Sequence, residues 1–289
     1  MTAYRRYVSV IIIIALAIAA VAVGLSARGR RNQSSRAIDE VTLPKFLDES
    51  TLPKFLEADF IELDKIEEIS PFRGAAGHDY SSDSTGETCR TKKHYFSPYM
   101  WVRGGETQHK IRKELDAQGL PIPPPEERLA AKIFSPVDGV ITSNDPTHWG
   151  WEVTIRPAAH EDFLLQISHI WMYPGIETGT QVTAGQAIGF TANSTDIVVE
   201  WSPGRQELTI GGPDSRHERY LVSYFSVMPD QIFSKYVERG IADREKLVFK
   251  KSLRDTLPFE CDIATGLYSQ DYYSTMPEVT IIRLAEVSG

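Results

Sequence analysis

Seven histidines, two cysteines and a scatter of aromatic side chains are the residues of this 289-residue chain whose types could do chemistry. His169 stands between Ser168 and Ile170 near the end of an alternating run. Such a residue serves equally as a hydrogen-bonded core histidine or as a proton shuttle. His148, His160 and His217 lie in polar stretches and read as solvated, whereas His94 and His109 have basic neighbours that disfavour a bound cation. Asp138, inside Pro136-Val-Asp-Gly139, is most simply a turn residue. Trp149, Trp151, Trp171 and Tyr173 could line a groove for a sugar or a peptide, although aromatic residues on strands more often fill a core. Gly-x-Ser-x-Gly, P-loop and dinucleotide patterns are absent. Neither cysteine has a zinc-finger spacing.

The elements that must hold these residues change in texture along the chain. From Ala131 onward short β-runs dominate: Lys132–Phe134, Gly139–Thr142, Trp151–Arg156, Phe163–Ile170, Val182–Phe190 and Asp196–Trp201, with Leu208–Ile210 and Tyr220–Val227 as further candidates. A helix is expected over Pro229–Gly240, where Ile232, Phe233, Tyr236 and Val237 recur at helical spacing and Gly240 supplies a stop. Upstream, Pro71–Tyr80 is glycine-spaced and reads as a loop. Gln108–Gln118 reads as a short helix ended by Gly119 and a proline cluster. Many strands with a helical tail argue for a mainly β domain.

The N-terminus has a separate character. Val8–Leu25 is an uncharged run of 18 residues, roughly 27 Å long as a helix and close to a bilayer's hydrocarbon thickness. Arg5 and Arg6 before it and Arg28, Arg30 and Arg31 after it leave the orientation open. An uncleaved anchor is preferred over a cleaved signal peptide, because the apolar stretch exceeds the usual signal length. A polar linker follows, and Thr42-Leu-Pro-Lys-Phe-Leu-Asp48 recurs as Thr51-Leu-Pro-Lys-Phe-Leu-Glu57, read as replicated linker ahead of a fold that starts near Phe60. If the C-terminal side is translocated, the two cysteines could bridge. The alternative is two separate buried thiols. A net charge of −8 and a pI near 5.5 carry no electrostatic footprint for nucleic acid.

Ser135–Gly139, the isolated His169 and the run Gly179-Thr-Gln-Val-Thr-Ala-Gly-Gln-Ala-Ile-Gly189 resemble, in order, the core of the lysostaphin-type zinc endopeptidases that cut bacterial cell-wall peptides. The resemblance covers about Ser135 to Glu200. It implies a duplicated hybrid motif, that is, a mainly β sandwich or barrel, here with a helical C-terminal elaboration and an N-terminal transmembrane helix. The family's His-x-x-x-Asp motif falls on His78, with Ser82 at the aspartate position and Asp83 one place late. Its His-x-His pair falls on Asp196 and Val198, and valine cannot coordinate a metal. His78, Asp83 and Asp196 are therefore the nearest metal candidates and His169 the catalytic one, with His78, His169 and Asp196 expected around one pocket and Val198 in the third ligand's place. A second resemblance, to secreted proteins built on this core without the ligands, implies a Cys89–Cys261 disulfide.

The organisation expected is 1–27 anchor or signal, 28–59 linker, 60–130 extension packing on the core, 131–202 peptidase-like core and 203–289 C-terminal elaboration. The function expected is extracytoplasmic binding or scaffolding of a cell-envelope peptide or glycan, with membrane attachment through 8–25, no nucleic acid and no cofactor. The alternative is a working zinc endopeptidase in which zinc polarises the scissile carbonyl and His169 moves the proton. A carbohydrate-binding module that only shares the fold is a third possibility.

Overall fold

The computed structural model describes residues 48–81, 87–99, 130–147, 149–191, 193–203, 219–257 and 259–286. The apolar run Val8–Leu25, the expected helix over 108–118, the expected strand over 208–210, and the residues Asp83, His109, His148 and His217 lie outside them. Among the described residues no helix is long and apolar enough to cross a membrane.

The described chain is mainly β, as the run of short strands anticipates, and its strand pairs are antiparallel. Its central strands are β4 (Gly139–Thr147), β5 (Gly150–Pro157), β6 (Phe163–Met172) and β9 (Thr195–Trp201). With β1 (Ile66–Ile69), β2 (His94–Pro98), β7 (Gln181–Val182) and β11 (Ile282–Arg283) they form a path ordered β11-β1-β2-β9-β6-β5-β4-β7. The end of β6 also pairs with β8 (Ala187–Thr191), which carries β3 (Ala131–Phe134). One edge of β9 is shared: Thr195–Ile197 pair with β2, and Val199–Trp201 pair with β10 (Tyr220–Val222).

Register explains the core. Ile155 lies opposite Leu165 and Leu165 opposite Val199, while Val153 lies opposite Ile167 and Ile167 opposite Ile197. Because side chains alternate faces along a strand, all six fall on one side of the sheet, and each is at most 1% exposed. Phe60, Phe96, Tyr224 and Phe225 pack edge-on beside them. Helix α1 (Asp230–Glu238) buries Ile232, Phe233 and Tyr236, as its spacing requires, whereas Val237, read with them, is exposed. Two short helices follow, α2 (Lys251–Arg254) and α3 (Asp271–Thr275).

Glycines close the turns. Gly185 takes φ +78° and donates its amide to the Ser135 carbonyl at 2.8 Å, while the Asp138 carboxylate accepts from the Ala184 amide at 2.8 Å. At Gly189 a Cβ would stand 2.4 Å from the Trp171 carbonyl oxygen, so the β6–β8 contact requires glycine. The folded part starts earlier than Phe60. Leu52, Phe55 and Leu56 of the second Thr-Leu-Pro-Lys-Phe-Leu copy are buried, Phe55 lying 4.7 Å from the Phe163 ring and 4.8 Å from that of His160. His160 is thereby half-buried in aromatic contact rather than solvated.

Candidate functional site

The face of β5, β6 and β9 opposite the core is polar, yet it is also buried. Gln166 lies opposite Val198, Ser168 opposite Asp196, and Leu164 opposite Glu200. Asp196 is 0% exposed, Val198 and Glu200 4% each, and Gln166 and Ser168 6% each. A segment that precedes β2 covers this face. From it Tyr80 donates its hydroxyl to Gln166 at 3.3 Å, and Lys93, 5% exposed, reaches in with its ammonium.

Asp196 is the centre of the cluster. Its Oδ2 lies 3.3 Å from Lys93 Nζ and 3.6 Å from His169 Nδ1, and neither of its oxygens meets hydrogen-bond geometry. The Lys93 ammonium sits 4.7 Å from the ring centroids of both Tyr80 and Tyr95, which stabilise it through their π-faces. Glu152 stands beside it, accepting from Gln166 Nε2 at 2.6 Å and from Ser168 Oγ at 3.3 Å. Burial, and then the Asp196 charge, push the Glu152 carboxyl above its ordinary value, against the pull of Ser168 and Lys93. Burial also pushes the Tyr80 phenol up to about 12, against the nearby Lys93 charge. Beside them, Tyr80, Leu164, Gln166, Val198, Glu200, Arg219 and Leu221 line a small cavity of about 30 Å³, large enough to hold water.

His169 owes its position to a bulge. Trp151 pairs with Ile170 but Val153 with Ile167, so β6 carries one extra residue opposite Glu152. His169 takes up that extra length with φ +62°, a left-handed conformation that a non-glycine residue holds at a cost of about 1–2 kcal/mol. Its Nδ1 lies 3.1 Å from the Ser194 carbonyl oxygen. A carbonyl can only accept, so Nδ1 is the donor in this contact, on a half-buried ring.

The sequence-predicted residues are therefore gathered only in part. His169 and Asp196 are side by side, and Val198 lies on their side of β9. His78 is exposed, its Nδ1 2.8 Å from the Asp79 carbonyl. A catalytic zinc needs three converging protein donors, each at roughly 2.0–2.2 Å. Among the described residues the trio whose donor atoms come within 4.8 Å of one another is Asp79, Cys89 and Cys261, and these two sulfurs are bonded to each other. At Asp196 the cationic place is filled by Lys93 and Val198 offers no donor. Asp196 and His169 are thus the two candidate donors that the described residues bring together there, one short of the three a catalytic zinc needs. The Cys89–Cys261 disulfide is formed, with Cα atoms 5.4 Å apart.

Reading the sequence alone misses Lys93, Tyr80, Glu152 and Gln166. One signal was available: Asp196, Val198 and Glu200 alternate along β9 just as Gln166 and Ser168 do along β6, marking a polar face that something must cover. His94 is buried and neutral, its value lowered to about 4 by burial rather than by its basic neighbours. No family model, curated protein or solved structure matches this chain.

Proposed function

We propose that this is an extracytoplasmic protein, anchored through residues 8–25, whose β core follows the duplicated hybrid motif of the lysostaphin-type endopeptidases and binds a cell-envelope peptide or glycan without cutting it. One observation carries the reading: the Lys93 ammonium, held between Tyr80 and Tyr95, faces Asp196 on the strand whose Val198 takes the place that the resemblance gives to a metal ligand. An ammonium neutralises the carboxylate but cannot polarise a carbonyl or generate hydroxide as a Lewis acid does. What remains is a recessed His169 and, around the β4–β5 turn and the end of β6, the half-buried Trp149, Trp151, Trp171 and Tyr173, whose faces suit stacking on a sugar ring.

The test uses the full chain in detergent. After dialysis against zinc it should hold no stoichiometric metal, and it should release no fragments from peptidoglycan or glycine-rich peptides. It should still be retained on peptidoglycan, and Trp171→Ala with Tyr173→Ala should weaken that retention. Absence of retention defeats the binding reading. Chelator-sensitive cleavage that disappears in His78→Ala would put the zinc endopeptidase first.

A further inference from the structure

A second groove shares no lining residue with the cavity beside the Asp196 cluster. The segment 56–64, α1 and the turn at Gly185 enclose a groove of about 1050 Å³, the size of a small-molecule or peptide side-chain site. Its walls carry six acidic residues, Glu57, Asp59, Glu62, Asp64, Glu238 and Glu286, against two basic ones, Lys235 and Arg239. Arg239 is committed elsewhere, donating to the carbonyls of Leu63, Ile66 and Ala285. Leu56, Ile61 and Ile232 give the groove an apolar floor.

A set of acidic side chains is not in itself a site, but Asp59 adds something specific. It lines the groove while only 7% exposed. Its Oδ1 is held from behind by the buried hydroxyls of Tyr236 at 2.9 Å and Tyr224 at 3.2 Å, neither of which lines the groove. Its Oδ2 is buried and has no hydrogen-bond partner. A buried carboxylate oxygen left without a donor costs a few kcal/mol, and folded proteins rarely leave one so. Burial pushes this carboxyl up to about 6, opposed by both tyrosines, by Lys235 and by the nearby Phe60 amide. A donor that also carries positive charge would satisfy the oxygen and offset the desolvation together.

We propose that this groove binds a primary alkylammonium, a lysine-type side chain or a free diamine, with its ammonium on Asp59 Oδ2 and its methylene stem on Leu56, Ile61 and Ile232. The stem explains the apolar floor, which a bare metal ion would not use. The ring of Glu57, Glu62, Asp64 and Glu238 draws cations in, whereas the single buried oxygen selects one with a narrow, three-donor head.

The experiment titrates the full chain in detergent by calorimetry with a capped lysine peptide, its norleucine counterpart, and 1,5-diaminopentane. Binding of the lysine peptide or the diamine, with the norleucine peptide at least tenfold weaker, supports the proposal, and the tighter of the two probes identifies the source of the amine. Asp59→Asn, which keeps the acceptor for Tyr224 and Tyr236, should weaken binding about tenfold or more, and circular dichroism checks that it folds. Wild-type affinity should fall as pH drops below about 6, where Asp59 gains a proton, and Asp59→Asn should lack that step. Lys235, Glu57, Glu62, Asp64 and Glu238 remain in both proteins, so general attraction would leave the two profiles alike. Equal binding of the norleucine peptide, equal binding by Asp59→Asn, or no binding of either amine overturns the proposal.

Discussion

Lys93 and Asp196 pose an energetic question at the residue scale, because both side chains are out of water, 6% and 1% exposed. Desolvating two ions costs about as much as their attraction returns, so the pair adds little net stability, but removing one partner strands a buried charge and costs about 3–5 kcal/mol. Lys93→Met should therefore destabilise the protein by about that amount, and Lys93→Met with Asp196→Leu should recover most of it. Urea denaturation of the four proteins in the cycle measures this; equal losses in the single and double variants would mean that the charges are not coupled. His94 and Asp59 form a second opposition, this one in pH. His94 donates Nδ1–H to the Ser70 carbonyl at 2.8 Å and accepts from Ser223 Oγ at 2.7 Å, and burial lowers it to about 4 from 6.5. As pH falls from 6.5 to 4 the unfolded chain takes up a proton that the fold refuses, and stability drops by about 3 kcal/mol. Asp59 is raised to about 6 from 3.8, so as pH falls from 6 to 3.8 the fold takes up a proton first and stability rises by about 3 kcal/mol. The two nearly cancel. Asp59→Asn should unmask the His94 loss, making the drop between pH 7 and pH 4 about 3 kcal/mol larger than in the wild type, as read from urea midpoints. An unchanged drop would show that Asp59 titrates as an exposed carboxyl does.

At the scale of elements, what is legible in the sequence follows how local each signal is. β5 and, in part, β6 are legible because they alternate with period two, β9 is legible as a short run over Asp196–Trp201, and both ends of α1 are marked by nearby residues. β4 is legible only over Gly139–Thr142, because Ser143-Asn-Asp-Pro-Thr147 reads as a turn until pairing with β5 extends the strand. β2 is not legible. His94-Tyr-Phe-Ser-Pro98 follows two lysines and ends in a proline, and its partners, β1 and β9, lie far away along the chain. Tyr220–Val227 reads as one strand but stops pairing at Val222, where the Ser223 hydroxyl accepts from the Phe225 amide and turns the chain into a 3-10 turn. The candidate site divides in the same way. His169 and Asp196 are singled out by the resemblance drawn from the sequence, but the bulge that aims His169 depends on cross-strand register. The covering lysine is a tertiary event: in sequence Lys92-Lys93 is a charge pair of the kind normally solvated, and only the sheet's polar underside draws Lys93 inward.

At the scale of the molecule, the Cys89–Cys261 bridge closes a loop across 172 residues and fastens the C-terminal segment to the segment before β2. That segment has a small core of its own, Phe259, Tyr268 and Val279 against Ala75, and the buried Arg254 guanidinium serves the carbonyls of Arg73, Leu257 and Phe259 there. So few apolar contacts resist local opening weakly, and the crosslink supplies the rest. In the chain-entropy model a loop of this length stabilises by about 5 kcal/mol. The bridge also reports on compartment, since glutathione keeps such pairs reduced in most cytosols. If residues 8–25 anchor the chain and its C-terminal side is exported, protein recovered from membranes should give one linked Cys89–Cys261 peptide pair under non-reducing mass spectrometry. The same chain without residues 1–27, made in a reducing cytosol, should carry two alkylatable thiols and lose up to about 5 kcal/mol. Its amide exchange should quicken first over 259–286, before the β5–β6–β9 core opens. Free thiols in the membrane-derived protein would refute export of this domain, and a mature N-terminus at Leu25 or Ala27 would replace the anchor with secretion. Exchange that quickens uniformly would instead mean that the bridge acts on the unfolded chain as a whole and holds no local unit in place.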